Sequence, residues 1–162
     1  MDRITIISGE KHSGKTTKLL ELISDLEFQN KKCAGIIAIG SIKNNKRHSF
    51  DIQDITTSKT MQIMSVEENL EFNKIGKFYI NPIAFKFGEE VLEKALKSNA
   101  NYIIIDEIGK LELNENGWFN IFNKLLKSEQ NVIFTSRKEL LQKVTKKFNI
   151  SEYKLIETGF NL

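Results

Sequence analysis

The stretch Gly9-Glu10-Lys11-His12-Ser13-Gly14-Lys15-Thr16 decides how this chain is read. It matches the pattern G-x-x-x-x-G-K-[ST] at every fixed position. Its surroundings match as well. Ile4–Ile7 before it is a short β-branched run that reads as a buried strand. Lys15 to Phe28 after it carries Leu19, Leu20, Leu22, Ile23 and Leu26 at helical spacing. A strand, a glycine loop and a helix in that order place backbone N–H groups and a helix N-terminus around one concavity, which suits a polyphosphate. In this reading Lys15 reaches the β- and γ-phosphates and the Thr16 hydroxyl ligates Mg²⁺. Thr17 adds a hydroxyl near the α-phosphate. Gly9, Glu10, Lys11, His12, Ser13, Gly14, Lys15, Thr16 and Thr17 form the candidate nucleotide-binding set. Within it, Lys11 and His12 read as solvent-facing positions, with Lys11 also placed to contact phosphate.

Outward from the loop, apolar runs alternate with helical patterns. Cys33–Ile39 reads as a second strand, and Gly40 to Arg47 as a polar loop. Ser49–Ile55, Thr60–Val66 and Gly76–Ile80 suggest a small antiparallel insertion within about residues 40–80. Pro82 opens a helix whose apolar face holds Phe85, Val91, Leu92, Ala95 and Leu96. Asn101–Ile105 is the most strand-like run. Trp118–Leu126 reads as a helix, Asn131–Phe134 as a strand, Lys138–Phe148 as a helix and Tyr153–Ile156 as a last strand. Such alternation implies βαβ units, a mostly parallel sheet and helices on both faces. Residues 1–162 read as one domain.

In a sheet of that kind ligands bind beyond the carboxyl ends of the strands. Gly9 and Asp106 both follow strands, so the two are expected at one edge. Tyr102-Ile103-Ile104-Ile105-Asp106-Glu107 is an apolar strand running into two acids. Asp106 is placed to anchor the metal of a magnesium nucleotide, as in a Walker B element. Glu107, just past the strand, is placed to orient or deprotonate an attacking water.

The run Asp106-Glu107-Ile108-Gly109-Lys110-Leu111-Glu112-Leu113 resembles the signature of a small P-loop nucleoside-triphosphatase family with thermophile and vertebrate cytosolic members. Lys74-Ile75-Gly76-Lys77-Phe78, Phe85, Val91-Leu92 and Ser49-Phe50-Asp51-Ile52 resemble that family's middle region. The likeness spans roughly residues 1–135. It implies a RecA-type sheet in which one strand separates the Asp106 strand from the P-loop strand. It also implies magnesium-dependent hydrolysis of ATP, GTP and other nucleoside triphosphates to the diphosphate. Gly9, Ser13, Gly14, Lys15, Thr16 and Thr17 match the family's nucleotide loop, Asp106 its metal-anchoring acid and Glu107 its water-activating acid. Ile39 to Arg47 and Glu157 to Leu162 depart from the family pattern.

Thr135-Ser136-Arg137 follows the strand Asn131–Phe134. If that strand is the separating one, its tip faces the γ-phosphate. Arg137 then neutralises transition-state charge and joins Lys15 and Glu107 as a catalytic candidate. The alternative is a helix start, with Ser136 as N-cap and Glu139 three residues on. Trp118 and Phe119 read as core, or as a platform for a base.

Composition narrows the function classes. Hydrophobic residues make up 40% and charged residues 28%, enough for a packed core without a disordered bias. The net charge of +3 falls short of a dedicated nucleic-acid binder. Only Arg3, Arg47 and Arg137 among the 24 basic residues are arginines, and arginine is the type suited to bidentate phosphate contacts. A single cysteine, Cys33, excludes an intrachain disulfide. No apolar run approaches the roughly 20 residues that span a bilayer, and the N-terminus does not read as a signal peptide. A cytoplasmic monomer is expected. Three activities fit: a nucleoside-triphosphatase with water as acceptor, a nucleotide or small-molecule kinase, and a nucleotide-dependent switch whose 40–80 segment carries a protein partner.

Overall fold

The computed structural model describes residues 2–159. In chain order its elements are β1 (Ile4–Gly9), α1 (Lys15–Phe28), β2 (Cys33–Lys43), β3 (Lys46–Asp54), β4 (Thr60–Ser65), β5 (Asn73–Ile75) and β6 (Phe78–Ile80). They continue with α2 (Pro82–Lys97), β7 (Tyr102–Ile105), α3 (Lys110–Leu113), α4 (Phe119–Leu126), β8 (Asn131–Arg137), α5 (Leu141–Lys147) and β9 (Lys154–Glu157). A short 3-10 turn, Lys138–Leu140, leads into α5.

All the strands join one sheet in the order β5-β6-β4-β3-β2-β7-β8-β1-β9. From β2 to β9 the neighbours are parallel, and from β2 to β5 they are antiparallel. Parallel strands need both faces covered. On one face α1 supplies Leu19, Ile23 and Leu26 against Ile7, Ile37, Ile104 and Ile133. The other face is thicker, and Ile6, Ile36, Ile103 and Phe134 pack there beneath residues of α2, α4 and α5. Consecutive isoleucines of β7, Ile103 and Ile104, thus enter opposite cores, as strand alternation requires. Phe122 is fully buried, with ring centroids 4.9 Å from Phe134 and 4.7 Å from Phe148.

β8 lies between β7 and β1, as the family resemblance implies. The structure corrects two local expectations. The polar segment Gly40 to Arg47 is not a loop: β2 runs on to Lys43 and pairs with β3 as far as Lys43↔Lys46. Asn44 and Asn45 close this hairpin with φ of 53° and 61°. A two-residue turn with both φ positive follows the twist of the strands, and asparagine tolerates it. Ser136 is not a helix N-cap either. It lies inside β8, fully buried, and Arg137 precedes the 3-10 turn without a side-chain capping bond. Pro82 does open α2, and the Asn81 side chain caps that helix by accepting from the Ile83 N–H at 3.0 Å.

Among the described residues, no helix is long and apolar enough to cross a membrane.

Candidate functional site

β1 ends at Gly9, and the chain curls through residues 10–14 before α1 begins. His12 and Gly14 take φ of 61° and 86°, and Ser13 N donates to Glu10 O at 3.1 Å. Left-handed residues alternating with ordinary ones turn successive N–H groups inward, which makes an anion cradle. Gly9 is required by a close approach, because a Cβ there would collide with the Thr158 and Ser13 hydroxyls. Lys15 is buried, and its ammonium donates to Glu10 O at 2.9 Å and Gly9 O at 3.4 Å. Glu10, Lys11, His12 and Thr17 are exposed.

Register brings the second half of the site to the same edge. β7 stops at Ile105, and Asp106 sits just beyond it, buried. One carboxylate oxygen, Oδ2, accepts from Thr16 Oγ1 at 2.9 Å and from the Ala38 N–H at 3.2 Å. The other, Oδ1, accepts from Thr135 Oγ1 at 2.6 Å. Burial raises the Asp106 pKa, while the hydroxyls of Thr135 and Thr16 and the Ala38 N–H oppose that rise. A buried carboxylate beside a threonine hydroxyl is a hard oxygen pair. That donor set fits Mg²⁺, which takes few protein ligands and leaves the rest to phosphate and water.

Glu107 and Arg137 stand next to this pair. Glu107 Oε1 lies 3.6 Å from Arg137 Nε, an ion pair too long for a hydrogen bond. Their side chains are 33% and 32% exposed, so both can meet a ligand. Burial raises the Glu107 pKa, and the Arg137 guanidinium opposes it.

Behind Glu107 the loop is fixed by Glu112, a buried acid of α3. Its Oε2 accepts from the Gly109 N–H at 2.8 Å and its Oε1 from the Trp118 N–H at 3.0 Å. Gly117, with φ of 59°, passes so close that a Cβ would strike Glu112 Oε1. Trp118 is core, 4.9 Å centroid to centroid from Phe85 and against Gly88. Its ring therefore takes the packing role, at the wall of a cavity.

That cavity, about 280 Å³, opens at Thr16, Asp106, Glu107 and Arg137 and runs between apolar walls that include Phe50, Ile63, Phe78 and Phe85. A second cleft of about 290 Å³ flanks the P-loop, lined by Gly9 to Ser13, Lys138 and Glu157 to Gly159. There Thr158 Oγ1 is 2.7 Å from Ser13 Oγ, and the Thr158 N–H donates to Ser8 O at 2.9 Å. Nothing in the sequence marks Thr158; the parallel pairing of β9 with β1 brings it there. The departure noted over Glu157 to Leu162 extends into residues 160–162, outside the described residues. Of the sequence-level candidates, Lys15, Thr16, Asp106, Glu107 and Arg137 converge. Thr17 lies in the first turn of α1, solvent-facing.

Known proteins resemble this chain in sequence and in fold. The chain is 32% identical to a nucleoside-triphosphatase THEP1 from Sulfolobus acidocaldarius, over 78% of its own length and 72% of that protein. It is 33% identical to a nucleoside-triphosphatase THEP1 from Thermotoga petrophila, over 82% of its length and 71% of the relative. The fold resembles the solution structure of a human cancer-related nucleoside triphosphatase, with a TM-score of 0.74 at 17% identity, covering 96% of this chain and 88% of the other. A family model described as NTPase matches residues 4–159, and the chain belongs to that small P-loop NTPase family.

Proposed function

We propose that the chain hydrolyses nucleoside triphosphates, ATP and GTP among them, to diphosphate and phosphate in a magnesium-dependent reaction. The observation that carries this reading is the Thr16–Asp106 hydrogen bond, which ties the P-loop helix to the acid beyond β7. The P-loop N–H groups and Lys15 hold the β- and γ-phosphates. Thr16 and Asp106 would hold Mg²⁺, which when bound supplies positive charge to the phosphate oxygens. Glu107 orients a water and takes its proton as oxygen attacks the γ-phosphorus and the bond to the β-phosphate oxygen breaks. Arg137 moves from Glu107 toward the developing charge, a role an arginine performs strongly. The nucleoside part extends into the cleft beside Thr158. The test is phosphate release from ATP and GTP with and without Mg²⁺. Release without any acceptor, lost in Lys15→Ala and strongly reduced in Glu107→Gln, is expected. Release that Glu107→Gln leaves untouched would remove this assignment.

One observation favours a second reading, transfer to a small acceptor. The cavity beside Glu107 is larger than one water needs, and its walls are apolar. A phosphotransferase would release little phosphate until an alcohol with an apolar body is added, and the same assay with and without such alcohols separates the two.

A further inference from the structure

The β2–β3 hairpin reaches where the parallel core does not. β2 pairs with β7 only as far as Ile36↔Ile105, while residues 37–43 continue with β3 beyond the carboxyl edge of the sheet. A register shift between Ser41 and Ile42 bends this extension. At its end stands Arg47. The guanidinium carbon lies 5.0 Å above the Phe50 ring. Gly40, across the hairpin, leaves room for it, because a Cβ there would collide with the Arg47 guanidinium. Arg47 Nη2 is 3.4 Å from His12 Nδ1, at the left-handed turn of the P-loop. Among the described residues, Arg47 Nε is buried and finds no hydrogen-bond partner.

These contacts describe an aimed group rather than a solvated one. An arginine has five N–H donors in a fixed plane. Here the plane rests on an aromatic ring, and the protein supplies one long bond to it. A buried donor left unpaired is costly, so a move that lets a ligand satisfy it is favoured. The surroundings are cationic. Partial desolvation and then Arg47, Lys11, Arg137 and Lys15, in that order, hold the His12 imidazole below its ordinary pKa. Arg47 arrives on β3, four strands from β1 in the sheet order, and Arg137 on the neighbouring strand β8. Cations gathered at one loop focus an anion there.

We propose that Arg47 is a second arginine of the site, contacting the terminal phosphate of the bound nucleotide and the charge that develops on it. This rests on the reading of residues 9–16 as a triphosphate cradle. Arg47 leaves His12 and turns its fork onto phosphate oxygens, with Gly40 and Phe50 setting the plane from which it works. The occupant is the γ-phosphoryl group, so Arg47 distinguishes a triphosphate from a diphosphate.

The probes are MgADP alone and MgADP with aluminium fluoride, which mimics the phosphoryl group in flight. Wild type is expected to bind the fluoride complex more tightly than MgADP and to hydrolyse MgATP. Arg47→Ala is expected to keep the MgADP affinity, which also reports an intact fold, but to lose the gain from fluoride. Its kcat should fall by about 10²–10³-fold. Millimolar guanidinium should restore part of that activity. Gly40→Ala keeps the arginine but displaces it, so it should behave like Arg47→Ala. Unchanged fluoride gain and kcat in both variants would overturn the proposal. So would equal loss of MgADP and fluoride binding, which would make Arg47 structural. Absence of nucleotide binding by wild type would instead remove the triphosphate reading itself.

Discussion

Thr16 Oγ1 donates to Asp106 Oδ2 at 2.9 Å across 90 residues of sequence. One residue lies in the first turn of α1 and the other just beyond β7, and the bond exists because β8 sets β1 and β7 at a fixed spacing. Three donors converge on Asp106, so its carboxylate has one orientation.

Asp106→Asn is therefore expected to remove the metal anchor while keeping the fold. An amide cannot accept from both threonines, and it carries no charge for a cation. Hydrolysis should fall by at least about a hundredfold and the Mg²⁺ requirement should rise, read from phosphate release across a magnesium titration. Thr135→Val frees only Oδ1 and should cost less. An Asp106→Asn variant with the wild-type magnesium curve would contradict the anchor role.

Glu107→Gln should lower kcat by about 10²–10⁴-fold with little change in KM, since the acid acts on the water rather than on binding. Steady-state kinetics on MgATP measure this split. A rise in KM at constant kcat would point to a binding role.

The Glu107–Arg137 pair also fixes a pH effect. Burial raises the Glu107 pKa and Arg137 opposes it. Removing the guanidinium lets that pKa climb further. A base works when ionised, so activity rises with pH through this group, and Arg137→Ala should move that limb to higher pH. Profiles of kcat/KM for wild type and variant would show it; coincident limbs would not fit.

Glu112 makes a stability prediction. Burial, against bonds from Trp118 and Gly109, pushes its carboxyl from 4.5 up to about 7. The folded state then holds this proton more tightly than the unfolded chain. That contribution is fully present below pH 4.5 and is lost as pH rises through about 7. The shift corresponds to about 3 kcal/mol. Urea midpoints of wild type minus Glu112→Gln should decline between pH 5 and 8, and a difference flat over that range would contradict it.

Phe122→Ala should cost about 3–5 kcal/mol, because the ring is fully buried between Phe134 and Phe148 and leaves a cavity. Thermal melts measure it, and nucleotide affinity below Tm should be unchanged.

The phosphate cradle and the acid strand end were legible from letters alone, because both are local. A glycine loop needs only its own φ values and the next helix, and an apolar run ending in acids needs only its own strand. The polar stretch Gly40 to Arg47 misled for a related reason. Its two asparagines make a tight hairpin turn, but no apolar alternation within it announces that the strands on either side run on into it.

Sequence order alone thus carried the P-loop motif and the alternation of strands and helices. The partners of the site residues came from tertiary structure alone. Thr135 on Asp106, Thr158 on Ser13 and Arg47 on His12 each join segments far apart in the chain. Sheet order and hairpin bend decide such pairs, and both are set by packing two cores at once rather than by any short stretch of residues.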